Sequence, residues 1–76
     1  MKELLEFLAK SLVENPDDVE VTELENESGL VLELRVNQSD MGRVIGKQGK
    51  IAKAIRTVVK SAAAREGQHV FIEIKE

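Results

Sequence analysis

Four consecutive residues, Gly46-Lys47-Gln48-Gly49, have the types and spacing to hold an anion. Two glycines three positions apart permit a tight turn and remove the side chains that would keep a ligand away from the backbone. Lys50 and Ile51 then open a long helical pattern, so the loop amides and the helix N-terminus would both favour negative charge. Lys47 and Lys50 add full positive charge beside those donors, and Gln48 adds an amide. A phosphate is the guest this loop suits. Other glycine-rich phosphate loops fail on spacing. A P-loop needs a glycine five positions before its Gly-Lys pair and Ser or Thr after it, but Val44 or Met41 and Ile51 or Gln48 stand there. No Gly-x-Gly-x-x-Gly occurs, so a dinucleotide fold has no support.

Catalysis has little to build on. His69 is the only histidine, no cysteine is present, and Ser11, Ser28 and Ser61 have no recognisable base beside them. Ser39 reads as a helix cap. Asp17 and Asp18 are adjacent but lack a third ligand, so they read as a turn rather than a metal site. No enzyme, no metal and no cofactor is expected.

Formal net charge is −3, an average that hides a strong asymmetry. Residues 1–40 carry three basic and eleven acidic side chains, a balance of −8; residues 41–76 carry eight basic and three acidic, a balance of +5. No acid lies between Met41 and Arg65, whereas Arg43, Lys47, Lys50, Lys53, Arg56, Lys60 and Arg65 are all basic. This local positive field coincides with the glycine loop, as phosphate binding requires. Without cysteines the chain fits a reducing cytoplasm. No apolar run approaches a membrane span, and Glu3, Glu6 and Lys10 interrupt what would be a signal-peptide core. No membrane association is expected.

The elements that must position the loop follow from periodicity. Met1 to Glu14 has a helical pattern, with Leu4, Leu5, Leu8 and Leu12 on one face, Phe7 and Val13 widening it, and Phe7 read as core. Asn15-Pro16 ends it, and Pro16-Asp17-Asp18 makes a short turn. Val19 to Glu25 reads as an acidic edge strand, followed by a turn at Asn26-Glu27-Ser28-Gly29. Leu30 to Asn37 alternates, with Leu30, Leu32, Leu34 and Val36 inward. Ser39 or Asp40 caps a short helix, Met41 to Ile45, that enters the loop. Beyond the loop, Ile51, Ile55, Val58, Val59 and Ala62 form an apolar stripe opposite Lys53, Arg56 and Lys60; Gly67 ends this helix. Val70 to Lys75 is the last strand. The tight turn makes the first two strands antiparallel, and the return through two helices makes the last one parallel to Leu30–Asn37 by a right-handed crossover.

The run Val44-Ile45-Gly46-x-x-Gly49, continued by Ile51 and Ile55, resembles the signature of a KH domain, and the order of elements is similar to the bacterial type II form over essentially the whole chain. The resemblance implies an α+β fold ordered helix-strand-strand-helix-helix-strand, with a three-stranded mixed sheet and the helices packed on one face. Residues 1–76 would form one domain, with the minimal motif at about 30–76. The family resembled is that of the small single-domain bacterial KH proteins of the KhpA type. It implies clamping of single-stranded RNA by Gly46, Lys47, Gln48, Gly49 and Lys50, with Val44, Ile45 and Ile51 contributing to an aliphatic groove and Arg43, Lys53 and Arg56 to its basic rim. It further implies a post-transcriptional regulator or RNA chaperone, and a homodimer or a heterodimer with a larger KH-containing protein. Single-stranded DNA is an alternative ligand, and a protein-interaction scaffold that binds no RNA is an alternative role. The only aromatics are Phe7 and Phe71, so an aromatic stacking sheet is not expected.

Overall fold

The computed structural model describes all of residues 1–76. Helix α1 spans Lys2–Leu12, strand β1 Glu20–Asn26, strand β2 Gly29–Arg35, helix α2 Met41–Ile45, helix α3 Lys50–Arg65 and strand β3 Val70–Lys75. Short 3-10 turns at Pro16–Asp18, Gln38–Asp40 and Lys47–Gly49 join them. The sheet order is β1-β2-β3, with β1 antiparallel and β3 parallel to the central strand. The expected mixed sheet, its pairing directions and the acidic strand at its edge are therefore present. The fold is that of a type II KH domain, with the helices on one face of the sheet.

The alternation of the strands selects that face. Val21, Leu32, Leu34, Val70 and Ile72 are buried, while their neighbours point to the uncovered side. Leu5 and Ala9 of α1 and Ala52, Ile55, Val59 and Ala63 of α3 cover the inward row, and the fully buried Val44 joins them from α2. Ala63 is the small residue that lets α3 lie close to the sheet, and Gly67 adopts φ +72° beyond the helix end.

Four expectations are corrected. Phe7 is not core; it is 67% exposed. At about 100° per residue it stands roughly opposite Leu5, so the helix that buries Leu5 must turn Phe7 outward. By the same geometry Val58 leaves the buried stripe of α3 and is 47% exposed, and Ala52 and Ala63 complete that stripe instead. Neither Ser39 nor Asp40 caps α2 through its side chain. The side-chain cap belongs instead to the preceding 3-10 turn Gln38–Asp40, where Asn37 Oδ1 accepts from the Ser39 amide (2.9 Å) and from the Ser39 hydroxyl (2.8 Å). Helix α1 also ends at Leu12, two residues short of the expected Glu14.

Candidate nucleic-acid interface

Gly46 follows α2 with φ +75° and ψ 175°, a combination open essentially only to glycine. A Cβ there would lie 2.6 Å from Ile51 Cγ1 and 3.0 Å from Ile51 Cβ. Ile51, on the first turn of α3, therefore folds down onto the glycine backbone. Gly49 takes a left-handed φ of +72°, but a Cβ at that position would meet nothing within 4 Å, so only its backbone angle demands glycine. The two glycines of one motif thus answer different requirements.

Between them Gln48 is the only non-glycine residue with positive φ, at +57°. Such backbone outliers concentrate where a ligand is gripped. It places Gln48 at the tip of the turn, flanked by Lys47, with Lys50 just beyond, and all three side chains are exposed. The backbone donors are fewer than the sequence suggests. The Gly46 amide donates to the Gly42 carbonyl (2.9 Å), that of Gly49 to the Gly46 carbonyl (3.2 Å), and that of Lys50 to the Lys47 carbonyl. The positive charge offered to an anion therefore comes chiefly from the side chains of Lys47 and Lys50.

Beyond the loop, Lys53, Arg56 and Lys60 share one flank of α3, within about a quarter-turn of one another. Lys53 and Lys60 are exposed and Arg56 is half-buried. Among the aliphatic residues, Val44 and Ile55 are core and can only support a groove from beneath. Ile45 and Ile51 are half-buried and remain accessible. Ile51 lies on the opposite flank of α3, where it borders an apolar groove of about 370 Å³ together with Phe7, Leu8, Leu12, Ile55 and Val58. The helix therefore presents a basic flank on one side and an apolar groove on the other.

Arg43 is engaged elsewhere. Its guanidinium pairs with the Glu14 carboxylate, and its Nε lies 3.7 Å from Asp40 Oδ1. Asp40, only 1% exposed, accepts from the amides of Glu14 and Asn15 (both 3.1 Å) and from Asn15 Nδ2 (3.0 Å). Burial alone would raise its pKa. The hydrogen bonds from the Asn15 side chain and from the Glu14 and Asn15 backbone, with the nearby Arg43 charge, outweigh that and hold it below its ordinary value. This cluster ties the chain leaving α1 to the start of α2 and so sets the height of the glycine loop. Periodicity gives no sign of it, because the partners lie 25 and 26 residues apart. No three His, Cys, Asp or Glu side chains converge so as to hold a metal ion, and no helix is long and apolar enough to cross a membrane.

Known proteins resemble this chain in sequence and in fold. The family model of the KhpA/KhpB KH domain matches residues 2–74. "RNA-binding protein KhpA" of Clostridium perfringens is 61% identical over 74 residues, covering 97% of this chain and 99% of the relative. The protein of the same name from Aquifex aeolicus is 47% identical over 76 residues, covering 100% and 96%. Among solved structures, Aquifex aeolicus Era bound to GDP and AlF4⁻ superposes with a TM-score of 0.67 at 25% identity, covering 97% of this chain but 29% of Era. The chain thus corresponds to less than a third of that larger protein.

Proposed function

The chain belongs to the KhpA/KhpB family of KH domains, and from that premise we propose that it binds RNA, gripping a single strand at the Gly46–Gly49 loop. Its family is non-enzymatic, and its relatives are named for RNA binding. The observation that carries the reading is the loop itself: an exposed turn tipped by the strained Gln48, flanked by Lys47 and Lys50, in a stretch without a single acid from Met41 to Arg65. Lys47, Gln48 and Lys50 meet phosphates; Gly46 and Gly49 admit them to the backbone. Ile45 and Ile51 offer aliphatic surface, Val44 supports it, and Lys53 and Arg56 extend the rim. Arg43 acts chiefly by holding α2 in place through Glu14 and Asp40. Residues 1–76 act as one type II KH unit in the cytoplasm, with a role as post-transcriptional regulator or RNA chaperone.

Replacing Lys47 and Gln48 together by Asp tests this. Both are exposed, and Asp tolerates the left-handed angle at position 48, so stability should change by about 0.5 kcal/mol or less. One positive charge becomes two negative ones facing the phosphate, and affinity for single-stranded RNA should fall about tenfold or more, roughly 1.4 kcal/mol. A variant that melts and binds like the parent would exclude the loop and favour the scaffold reading. Single-stranded DNA titrated in parallel shows whether the ribose hydroxyl matters.

The groove between α1 and α3 supports a second reading, self-association or pairing with a larger KH-containing protein. It gathers the exposed Phe7 and Val58 on the flank of α3 away from Lys53, Arg56 and Lys60, with Lys50 and Ile51 at its border, so two copies could pair there through an apolar face that adjoins the loop. Sedimentation should show a dimer at high micromolar concentration that Val58→Glu dissolves. A parent that stays monomeric removes the homodimer.

A further inference from the structure

The basic flank of α3 leads to a second place on the surface. Lys53, Arg56, Lys60 and Ala64 follow one another along the same line of the helix, and Lys60 stands roughly 15 Å from Lys50 along the axis. There Lys60, Ala64, Gln68, His69 and Phe71 border an open hollow of about 430 Å³. Phe71 is 45% exposed. Its ring is outward because position 71 falls on the uncovered face of the sheet, paired with Val31 on β2, and its strand is an edge strand. An aromatic face, an ammonium group and side chains able to hydrogen-bond are the components that hold an unstacked nucleobase and its phosphate. No acid borders the hollow. The adjoining depression does contain acids, Glu25 and Glu27, beside Gln68 and His69. Phosphate is repelled there, which ends the path at Phe71.

We infer that this hollow is a second nucleotide site, in which a base of the same strand stacks on Phe71 while Lys60 meets its phosphate. The inference rests on the reading of the glycine loop as the primary grip, and it extends the footprint beyond the nucleotides held at that loop. Charge complementarity along Lys53, Arg56 and Lys60, continuous from loop to hollow, favours a nucleic-acid strand over a protein as occupant. The apolar row Leu24–Val31–Phe71 across the outer sheet face is the feature a protein partner would use instead.

The test compares the parent with Phe71→Ala on two oligouridylates by fluorescence anisotropy, one of about four nucleotides, the length a KH loop clamps, and one of about eight. Proteins are compared on the same strand, because a longer strand gains affinity merely by offering more registers. Phe71→Ala should bind the short strand within about twofold of the parent and the long one about fivefold or more weakly, the lower end of what one stacked base contributes. Phe71→Tyr keeps the ring and should match the parent on both, and thermal melting checks that the variants fold alike. Equal binding of the long strand by parent and Phe71→Ala, with the short strand still bound, overturns the second site and leaves the loop reading intact. A parent that binds neither strand overturns both.

Discussion

The two glycines of the loop should not be equivalent when replaced by alanine. At Gly49 the added methyl meets nothing, and the cost is that of a left-handed backbone angle, about 1 kcal/mol. At Gly46 two terms combine. The pair φ +75°, ψ 175° lies in a region other residues essentially avoid, a strain of about 2 kcal/mol. The methyl also falls 2.6 Å from Ile51 Cγ1 and 3.0 Å from Ile51 Cβ. A new rotamer can move Cγ1, but Cβ is fixed to the helix backbone, so the first turn of α3 must shift, adding about 1–2 kcal/mol. The expected total is about 3–4 kcal/mol, a large share of the stability of so small a domain. At 4–8 °C per kcal/mol, Gly49→Ala should lower Tm by about 4–8 °C and Gly46→Ala by roughly 12 °C or more. Thermal melting by circular dichroism, supported by urea unfolding, measures both. In an Ile51→Gly background Cβ and the atoms beyond it are all removed and only the angle strain remains, so Gly46→Ala should then cost about 1–2 kcal/mol less. Equal losses from the two single variants, or an unchanged loss in the Ile51→Gly background, would refute the account of Gly46.

The buried Asp40 should make stability depend on acidity. Its folded pKa lies below the ordinary 3.8, so its contribution is fully present above that value and is lost as pH falls through the folded pKa. Melting the parent and Asp40→Asn from about pH 6 down to about pH 3 should show a gap that narrows only below the ordinary value; a constant gap would mean that the ionised form is not what matters. Salt should weaken RNA binding in proportion to the phosphates neutralised. With Arg43 held by Glu14, a strand confined to the loop meets Lys47 and Lys50, for a slope of log K against log salt of about −1.4, steepening towards roughly −3.5 if a longer strand also engages Lys53, Arg56 and Lys60. A flat dependence would mean that the lysines are only solvated.

Much of this molecule is written locally. Alternation in Leu30–Val36 marks the central strand and its buried side, the Gly-x-x-Gly pair marks the loop, and the acid-free run from Met41 to Arg65 marks its charge. Even the directions of the strands follow from connection length, since a tight turn forces an antiparallel neighbour and a return through helices allows a parallel one. These features are legible because each depends on residues within a few positions of one another. What tertiary structure alone decided depends on residues far apart. Arg43 looks like a free cation until α1 brings Glu14 beside it, 29 residues away. Asp40 looks like a helix cap until the chain leaving α1 presents two amides to it. The exposure of Phe7 and Val58 is set by which side of each helix meets the sheet, and their shared groove exists only because those helices lie side by side. Phe71 and Lys60 meet at one hollow because β3 returns alongside the end of α3. Periodicity reports which face of an element is apolar; only packing determines what that face, and the faces beside it, finally touch.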